Sequence, residues 1–217
     1  MAVYDLEEQE QLSAMKAWWE KNGNRVTGVV LAIALVVLGV QGWRWYQARQ
    51  AAEAGAIFGA VTQADQGKDV AKLRVLTDEL ISKHANMPTA ELAALLVAKA
   101  EIGAGDGKAA RSKLEWAASK GSDPLLRDLA RLRLAGVQLD EKDYAAALKT
   151  LEAAPSGEAF TARFEDLRGD VLFAKGEQDA ARDAYKKAAE AIAKQGGTQS
   201  ASFRSVVQTK LDALGGA

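Results

Sequence analysis

Apolar and polar residues recur with helical spacing along most of this chain, but one segment near the amino terminus is apolar throughout. From Val26 to Trp43 no side chain is charged, and only Thr27 and Gln41 are clearly polar. A helix of that length spans about 27 Å, close to the hydrocarbon thickness of a bilayer. A core helix of a soluble domain would instead show a polar face. The pattern predicts a transmembrane helix over residues 25–46.

The flanks of the apolar segment favour the same interpretation. Tryptophan and tyrosine concentrate at the two membrane–water interfaces, together with basic residues just outside the apolar core. Arg25 and Arg44 bracket the segment in this way. The aromatic side chains also lie on both sides of it: Trp18, Trp19, Trp43, Trp45 and Tyr46.

A cleavable signal peptide is the main alternative to a permanent anchor. The stretch QAAEAGA at 50–56 contains small residues in the spacing of a cleavage site. A secretory signal, however, has an apolar stretch of about 7–15 residues after a short basic lead. Here the apolar stretch is longer, and the lead contains acidic residues: Asp5, Glu7, Glu8, Glu10 and Glu20. We therefore expect an uncleaved signal anchor.

Basic residues at the two ends of the anchor set its expected orientation, because the more basic side stays in the cytoplasm. The basic residues are Lys16, Lys21 and Arg25 before the anchor, and Arg44 and Arg49 after it. This bias predicts a cytoplasmic segment over 1–24 and an exported domain over 47–217.

The exported part shows helical periodicity and no run of alternating β-branched residues. Ala147 and Leu151 recur 34 residues later as Ala181 and Tyr185. A helix-turn-helix unit of that length is the tetratricopeptide repeat. The alternative is a generic alanine-rich helical bundle. The sequence predicts an all-α fold, in which a single N-terminal transmembrane helix precedes a tetratricopeptide-like helical-repeat solenoid.

Small residues in each repeat would let its two helices cross closely, and a large residue would fill the remaining gap. In the most regular unit this signature is Gly169, Gly176, Ala181, Tyr185 and Ala188, with Gly176 at the sharp turn. A looser copy precedes the next repeat by 37 residues, with Ala98, Gly105, Ala110, Leu114 and Ala117 in the same places.

The two ends of the repeat region are predicted less directly. A degenerate first unit over 52–83 would place Phe58, Ala60, Gly67 and Leu76 in the corresponding positions. The last helix is expected to cap the solenoid by covering the final repeat with its apolar residues. These are Phe203, Val206, Val207, Leu211 and Leu214.

Charge and composition exclude several classes of function. Beyond Gln47 basic and acidic residues balance, so no net field attracts nucleic acid. The chain has no cysteine, which excludes disulfides and thiol chemistry. Its only histidine, His84, is expected to be a solvated residue near a helix end. GAGDGKAAR at 103–111 lacks the spacing of a phosphate loop. We therefore expect no enzyme activity, no metal and no cofactor.

The order of these features resembles the YfgM family, ancillary subunits of the SecYEG translocon in bacterial inner membranes. The resemblance is carried by the lead MAVYDLEEQEQLSAMKAWWEKNG, the anchor ending GWRWYQ and the alanine-rich repeats. It implies a single-pass inner-membrane protein with a cytoplasmic amino terminus and a periplasmic repeat domain. It also implies association with SecYEG and with a PpiD-like periplasmic chaperone, and assistance to exported client proteins.

The expected function is that of a binding module whose repeats form a groove for a partner segment. Trp116, the one tryptophan outside the membrane region, is either a partner contact or a core residue. Gly28, Ala32 and Gly39 lie roughly on one face of the anchor, where another membrane helix could pack. The alternative is a structural scaffold of another envelope complex, with lipid around an anchor that is only a tether.

Overall fold

The structure is a computed structural model that describes residues 2–195 and 199–215. These residues form helices and no strand, which confirms the predicted all-α fold. The chain divides into two compact units, Met1–Ala52 and Glu53–Ala217. The helices are α1 (Ala2–Gln66), α2 (Val70–His84), α3 (Pro88–Gly103), α4 (Gly107–Lys120), α5 (Pro124–Asp140), α6 (Tyr144–Thr150), α7 (Glu158–Lys175), α8 (Gln178–Gln195) and α9 (Gln199–Ala213).

The first unit consists of the amino-terminal part of α1. The helix continues without a break through the apolar segment, whose large side chains are exposed. Residues 2–66 contain no proline, and the glycines among them keep helical backbone. Of the described helices, α1 is the one long and apolar enough to cross a membrane, and its most apolar window is not buried at all. That exposure distinguishes it from a core helix of a soluble domain.

The second unit is a stack of four helix pairs followed by a single helix. Each pair has a first helix and a second helix: the end of α1 with α2, α3 with α4, α5 with α6, and α7 with α8. Successive helices from α2 to α9 pack on one another, and the first helices also contact each other, α3 with α5 and α5 with α7. Buried apolar clusters join each pair to the next. Contact limited to near neighbours is the architecture of a helical-repeat solenoid.

The repeat length is visible in the backbone at the turn inside each pair. An acidic residue follows each turn and, in three cases, accepts a hydrogen bond from the backbone of the second helix: Asp69, Asp106 and Asp143. The turn itself contains a residue with positive φ, the conformation that favours glycine. These residues, spaced by 37, 37 and 34 positions, are Lys68, Gly105, Lys142 and Gly176.

The register predicted for the first repeat was wrong by one residue. The left-handed position is Lys68 and not Gly67. The residue buried two helical turns earlier is likewise Val61, whereas Ala60 is only partly buried. A left-handed backbone costs more free energy at lysine than at glycine, so a turn of this kind is expected at a glycine. Because the turn falls on a lysine, the neighbouring Gly67 gives the wrong register.

The last helix, α9, caps the stack as expected, with one exception. Val207, Leu211 and Leu214 are buried against α8 and α7, but Val206 is 49% exposed and was wrongly assigned to the buried face. Arg182 of α8 donates a hydrogen bond to the backbone oxygen of Leu214. α9 thus takes the position of the first helix of a fifth repeat.

Candidate functional site

The residues of the predicted repeat signature lie at the crossing of α7 and α8. Gly169 is buried in α7, and an added Cβ there would lie 2.4 Å from Cε1 of Tyr185. Ala181 and Ala188 of α8 are fully buried. Gly176 has φ 92° and ends α7. The glycine and alanines thus let the two helices approach, and the tyrosine ring fills the space that remains.

A polar network joins this crossing to the cap helix. The Tyr185 hydroxyl donates to Asp170 at 2.8 Å, and Lys210 of α9 donates to both Asp166 and Asp170 at 2.8 Å. Burial raises the pKa of the Asp166 carboxyl in spite of the neighbouring Lys210 ammonium. Burial alone would lower the pKa of Lys210, but its hydrogen bonds to the two carboxylates outweigh burial and raise it. Burial, and then the bond to Asp170, raise the pKa of Tyr185.

The first helices carry apolar side chains at equivalent positions near their carboxyl ends, exposed on α3 and α7 and partly buried on α5. Ile102, Leu139 and Phe173 each lie three residues before the left-handed turn residue of their repeat, so they occupy equivalent positions. Ile102 is 44% and Phe173 52% exposed. Residues one to three helical turns earlier continue the same face. We call this surface the first-helix face. Its exposed apolar members are Leu92, Ile102 and Phe173, and its partly buried ones, which pack against the core clusters, are Leu129, Leu132 and Leu139.

Three charged side chains near the first-helix face contact the protein itself, whereas Lys99, one turn before Ile102, is exposed. Arg133 donates to the backbone oxygen of Leu95 at 3.1 Å. The guanidinium of Arg163 lies 5.2 Å from the ring centre of Phe203, and Asp170 is bound by Lys210. The face therefore carries one exposed lysine on α3 and becomes more polar at α7, where the cap helix adjoins it.

Trp116 is not part of the first-helix face. It lies on α4 and is partly buried, packed against the cluster of α3, α4 and α5 and also against that of α1, α2 and α3. The Trp116 side chain therefore links two neighbouring repeats. A role in partner binding stays a prediction.

His84 lies at the last position of α2, as expected, but the prediction that it is solvated was wrong. Its exposed fraction is 5%, and its Nε2 lies 3.9 Å from Oε1 of Glu53 on α1. The reason is the helix face: Leu73, Thr77, Leu80 and His84 follow one another at helical spacing and are all buried. The same spacing could have indicated this burial from sequence.

The three small residues proposed for packing in the membrane lie on exposed surface of α1. Gly28, Ala32 and Gly39 are exposed, and an added Cβ at either glycine would contact nothing within 4 Å. At the carboxyl end of the apolar segment the rings of Trp43 and Tyr46 lie 6.1 Å apart. Packing of this face against another membrane helix stays a prediction.

Sequence reasoning did not identify the first-helix face. Its signal is present: Ile102, Leu139 and Phe173 are separated by the same 37 and 34 residues as the turns. Over residues 2–195 and 199–215 no group of three or more histidine, aspartate or glutamate side chains is arranged to hold a metal.

The chain is similar to known proteins over most of its length. A family model for a tetratricopeptide repeat-like domain matches residues 16–216. An ancillary SecYEG translocon subunit of Haemophilus influenzae is 31% identical over 86% of this chain and 90% of its own length. One from Neisseria gonorrhoeae is 30% identical over 96% of this chain and 98% of its own. A solved MamA double mutant covers 74% of this chain and 93% of its own, with 18% identity and a TM-score of 0.49.

Proposed function

Because the chain belongs to the family of ancillary SecYEG translocon subunits, we propose that it is a non-enzymatic, membrane-anchored adaptor of the SecYEG translocon. The observation that carries the proposal is the extent of the similarity, which includes both the anchor and the repeats in the gonococcal relative. A resemblance confined to the repeats would fit many unrelated binding proteins. The features together fit a protein of the bacterial inner membrane.

In this proposal the chain crosses the membrane once, with residues 1–24 in the cytoplasm and 47–217 in the periplasm. The basic residues around the anchor support this orientation. Lipid surrounds the apolar segment, since its side chains are exposed within the first unit. The repeat domain would then lie on the side where exported proteins leave the channel.

The repeat domain would bind partners through the first-helix face. Apolar side chains in equivalent positions of three consecutive repeats, exposed at Ile102 and Phe173 and partly buried at Leu139, form an extended surface. Such a surface suits a partner helix or an extended chain. We expect two classes of occupant: a segment of a PpiD-like chaperone and apolar segments of exported client proteins. Burial of several such side chains supplies affinity without net charge.

Affinity purification of the full-length chain from detergent-solubilised inner membranes tests the proposal. We expect the translocon subunits and a PpiD-like chaperone among the co-purified proteins. A matched control replaces residues 26–43 with an unrelated apolar span of equal length. If another envelope complex is recovered in place of the translocon, the scaffold alternative holds and the adaptor proposal is wrong.

A further inference from the structure

The part of α1 that precedes the apolar segment carries an apolar stripe of its own. Leu12, Met15 and Trp19 follow one another at spacings of three and four residues, so they lie on one face of the helix. Their exposed fractions are 56%, 64% and 54%. The first unit is a single helix, so no other element of that unit covers these side chains. Large apolar side chains grouped on one exposed face mark a binding surface.

The stripe has a defined shape because the ring of Trp19 is held against the helix. Gly23, one turn later, is buried beneath that ring, and an added Cβ on it would lie 3.2 Å from Nε1 of Trp19. The stripe and two charged neighbours, Lys16 and Glu20, line a shallow concavity. A surface that is formed before a partner arrives loses less entropy on binding.

The charge around the stripe indicates which partner fits it. Among residues 7–24 four side chains are acidic and two are basic. Lys16 and Glu20 both line the concavity, and Glu8 precedes Leu12 by one turn, so two acidic side chains and one basic side chain adjoin the stripe. This balance disfavours an anionic lipid surface and favours a basic partner.

The expected location of the stripe supplies such a partner. Cytoplasmic loops next to membrane helices carry an excess of lysine and arginine. Residues 7–24 continue directly into the anchor, so in the proposed topology they lie beside the same loops of any neighbouring membrane protein. The acidic, apolar stripe and these basic loops are complementary.

We propose that Leu12, Met15 and Trp19 dock against a lysine- and arginine-rich cytoplasmic segment of a translocon subunit. Glu8 and Glu20 pair with the basic side chains of that segment. The cytoplasmic end of α1 is thus a second contact with the translocon, in addition to the membrane helix. The inference rests on the proposed function, because it uses both the topology and the translocon association.

Site-directed photo-crosslinking of the full-length chain tests the contact. The chain contains no cysteine, so a single introduced cysteine can carry a photo-crosslinker without ambiguity. Met15→Cys places the probe on the stripe, and Ala17→Cys places it on the opposite face of the same exposed turn. In inner-membrane vesicles we expect a translocon adduct from position 15, and at position 17 at least a severalfold lower yield.

Charge reversal tests the ionic part of the contact. Glu20→Lys, added to the Met15→Cys chain, should lower the adduct yield by roughly threefold, which is the scale of one exposed ion pair. Glu10→Lys makes the same change on the opposite face and should leave the yield unchanged. The crosslinked partner peptide, identified by mass spectrometry, should come from a basic cytoplasmic loop.

Four outcomes would overturn the inference: equal yields from positions 15 and 17, an adduct only with a second copy of this chain, an adduct only with lipid, or equal effects of the two charge reversals. Co-purification of the unlabelled chain separates this failure from that of the proposed function. If the translocon co-purifies and position 15 gives no adduct, the docking site is wrong and the proposed function stands. If the translocon does not co-purify, both are wrong.

Discussion

The ring of Tyr185 occupies the space that a side chain at Gly169 would need: a Cβ on Gly169 would lie 2.4 Å from Cε1 of the tyrosine ring. Glycine inside a helix costs about 1 kcal/mol relative to alanine. In α7 that cost is offset because the absence of a side chain lets the Tyr185 ring pack directly on the backbone. The ring is 3% exposed and its hydroxyl still reaches Asp170. The pair therefore sets how closely α7 and α8 approach.

The first prediction concerns this contact. Gly169→Ala should destabilise the repeat domain, residues 50–217, by about 1–3 kcal/mol, since the new methyl group displaces a buried ring. Urea unfolding followed by circular dichroism measures the change.

Gly136→Ala is the matched control for that substitution. Gly136 lies inside α5, and an added Cβ would meet nothing within 4 Å. Alanine there should stabilise the domain by up to about 1 kcal/mol through its helix propensity. If the two variants change stability in the same direction, the close approach at Gly169 is not what determines the effect.

The second prediction compares two leucines in α8. Ala181 is fully buried at the crossing, whereas Asp183 is exposed on the same helix. Ala181→Leu should cost about 1–3 kcal/mol by overpacking. Asp183→Leu should change the free energy of unfolding by no more than about 0.5 kcal/mol. Urea unfolding of both variants decides the matter, and an equal or larger loss at Asp183 would contradict the repeat register.

Spacing alone was sufficient to predict the helices of the last two repeats. Positions 147 and 181, and 151 and 185, are equivalent in the structure and buried in both repeats. The pattern could be recognised because α7 ends at Gly176 and because the buried alanines Ala181 and Ala188 lie among polar residues in α8. In these two repeats the positions that recur in the sequence are the same positions that are buried between helices.

Other features depend on contacts that no local pattern reveals. The left-handed turn of the first repeat falls on Lys68, which looks like any exposed lysine. Lys210 binds carboxylates 40 and 44 residues earlier in the chain, so their burial and pairing follow from the docking of α9. The first-helix face could be found only after the repeat register was known, because its apolar side chains are exposed or only partly buried.

The third prediction concerns alkaline pH. The pKa of Tyr185 and that of Lys210 are both raised in the folded domain. As pH rises through the ordinary values of these groups, 10.0 and 10.5, the unfolded chain releases the protons first. Stability that is fully present below pH 10 is therefore lost above it.

Tyr185→Phe isolates the tyrosine contribution. The variant should be less stable at neutral pH, because the hydrogen bond to Asp170 is removed, but its stability should decline less steeply above pH 10. The free energy of unfolding measured from pH 8 to pH 11 gives both slopes. Parallel slopes for the variant and the natural chain would show that the Tyr185 hydroxyl ionises as easily in the folded domain as in the unfolded one.

The fourth prediction concerns topology and cleavage. A reporter active only in the periplasm should work when fused after Ala217 and fail when fused before Met1, because the basic bias retains the amino terminus in the cytoplasm. Intact-mass measurement should show that the mature chain retains its amino-terminal segment and anchor. The opposite reporter pattern, or a new amino terminus within 52–56, would reject the anchored topology.

The fifth prediction tests the first-helix face as a binding surface. Ile102→Asp and Phe173→Asp should each weaken the binding of a fluorescent, extended apolar peptide to the repeat domain by roughly tenfold, the equivalent of about 1.4 kcal/mol. The physical reason is that a carboxylate must lose its hydration when the peptide covers it. Fluorescence anisotropy measures the affinity.

Val75→Asp provides the control, because it introduces the same charge at an apolar side chain that is 67% exposed on α2, a second helix. All three positions are exposed, so the free energy of unfolding should change by no more than about 0.5 kcal/mol in each variant. A selective loss of peptide affinity at 102 and 173 then assigns binding to the first helices, since stability and net charge are matched. Equal losses at all three positions would instead mean that the peptide responds to the overall charge of the domain, and a loss only at 75 would move the binding surface to the second helices.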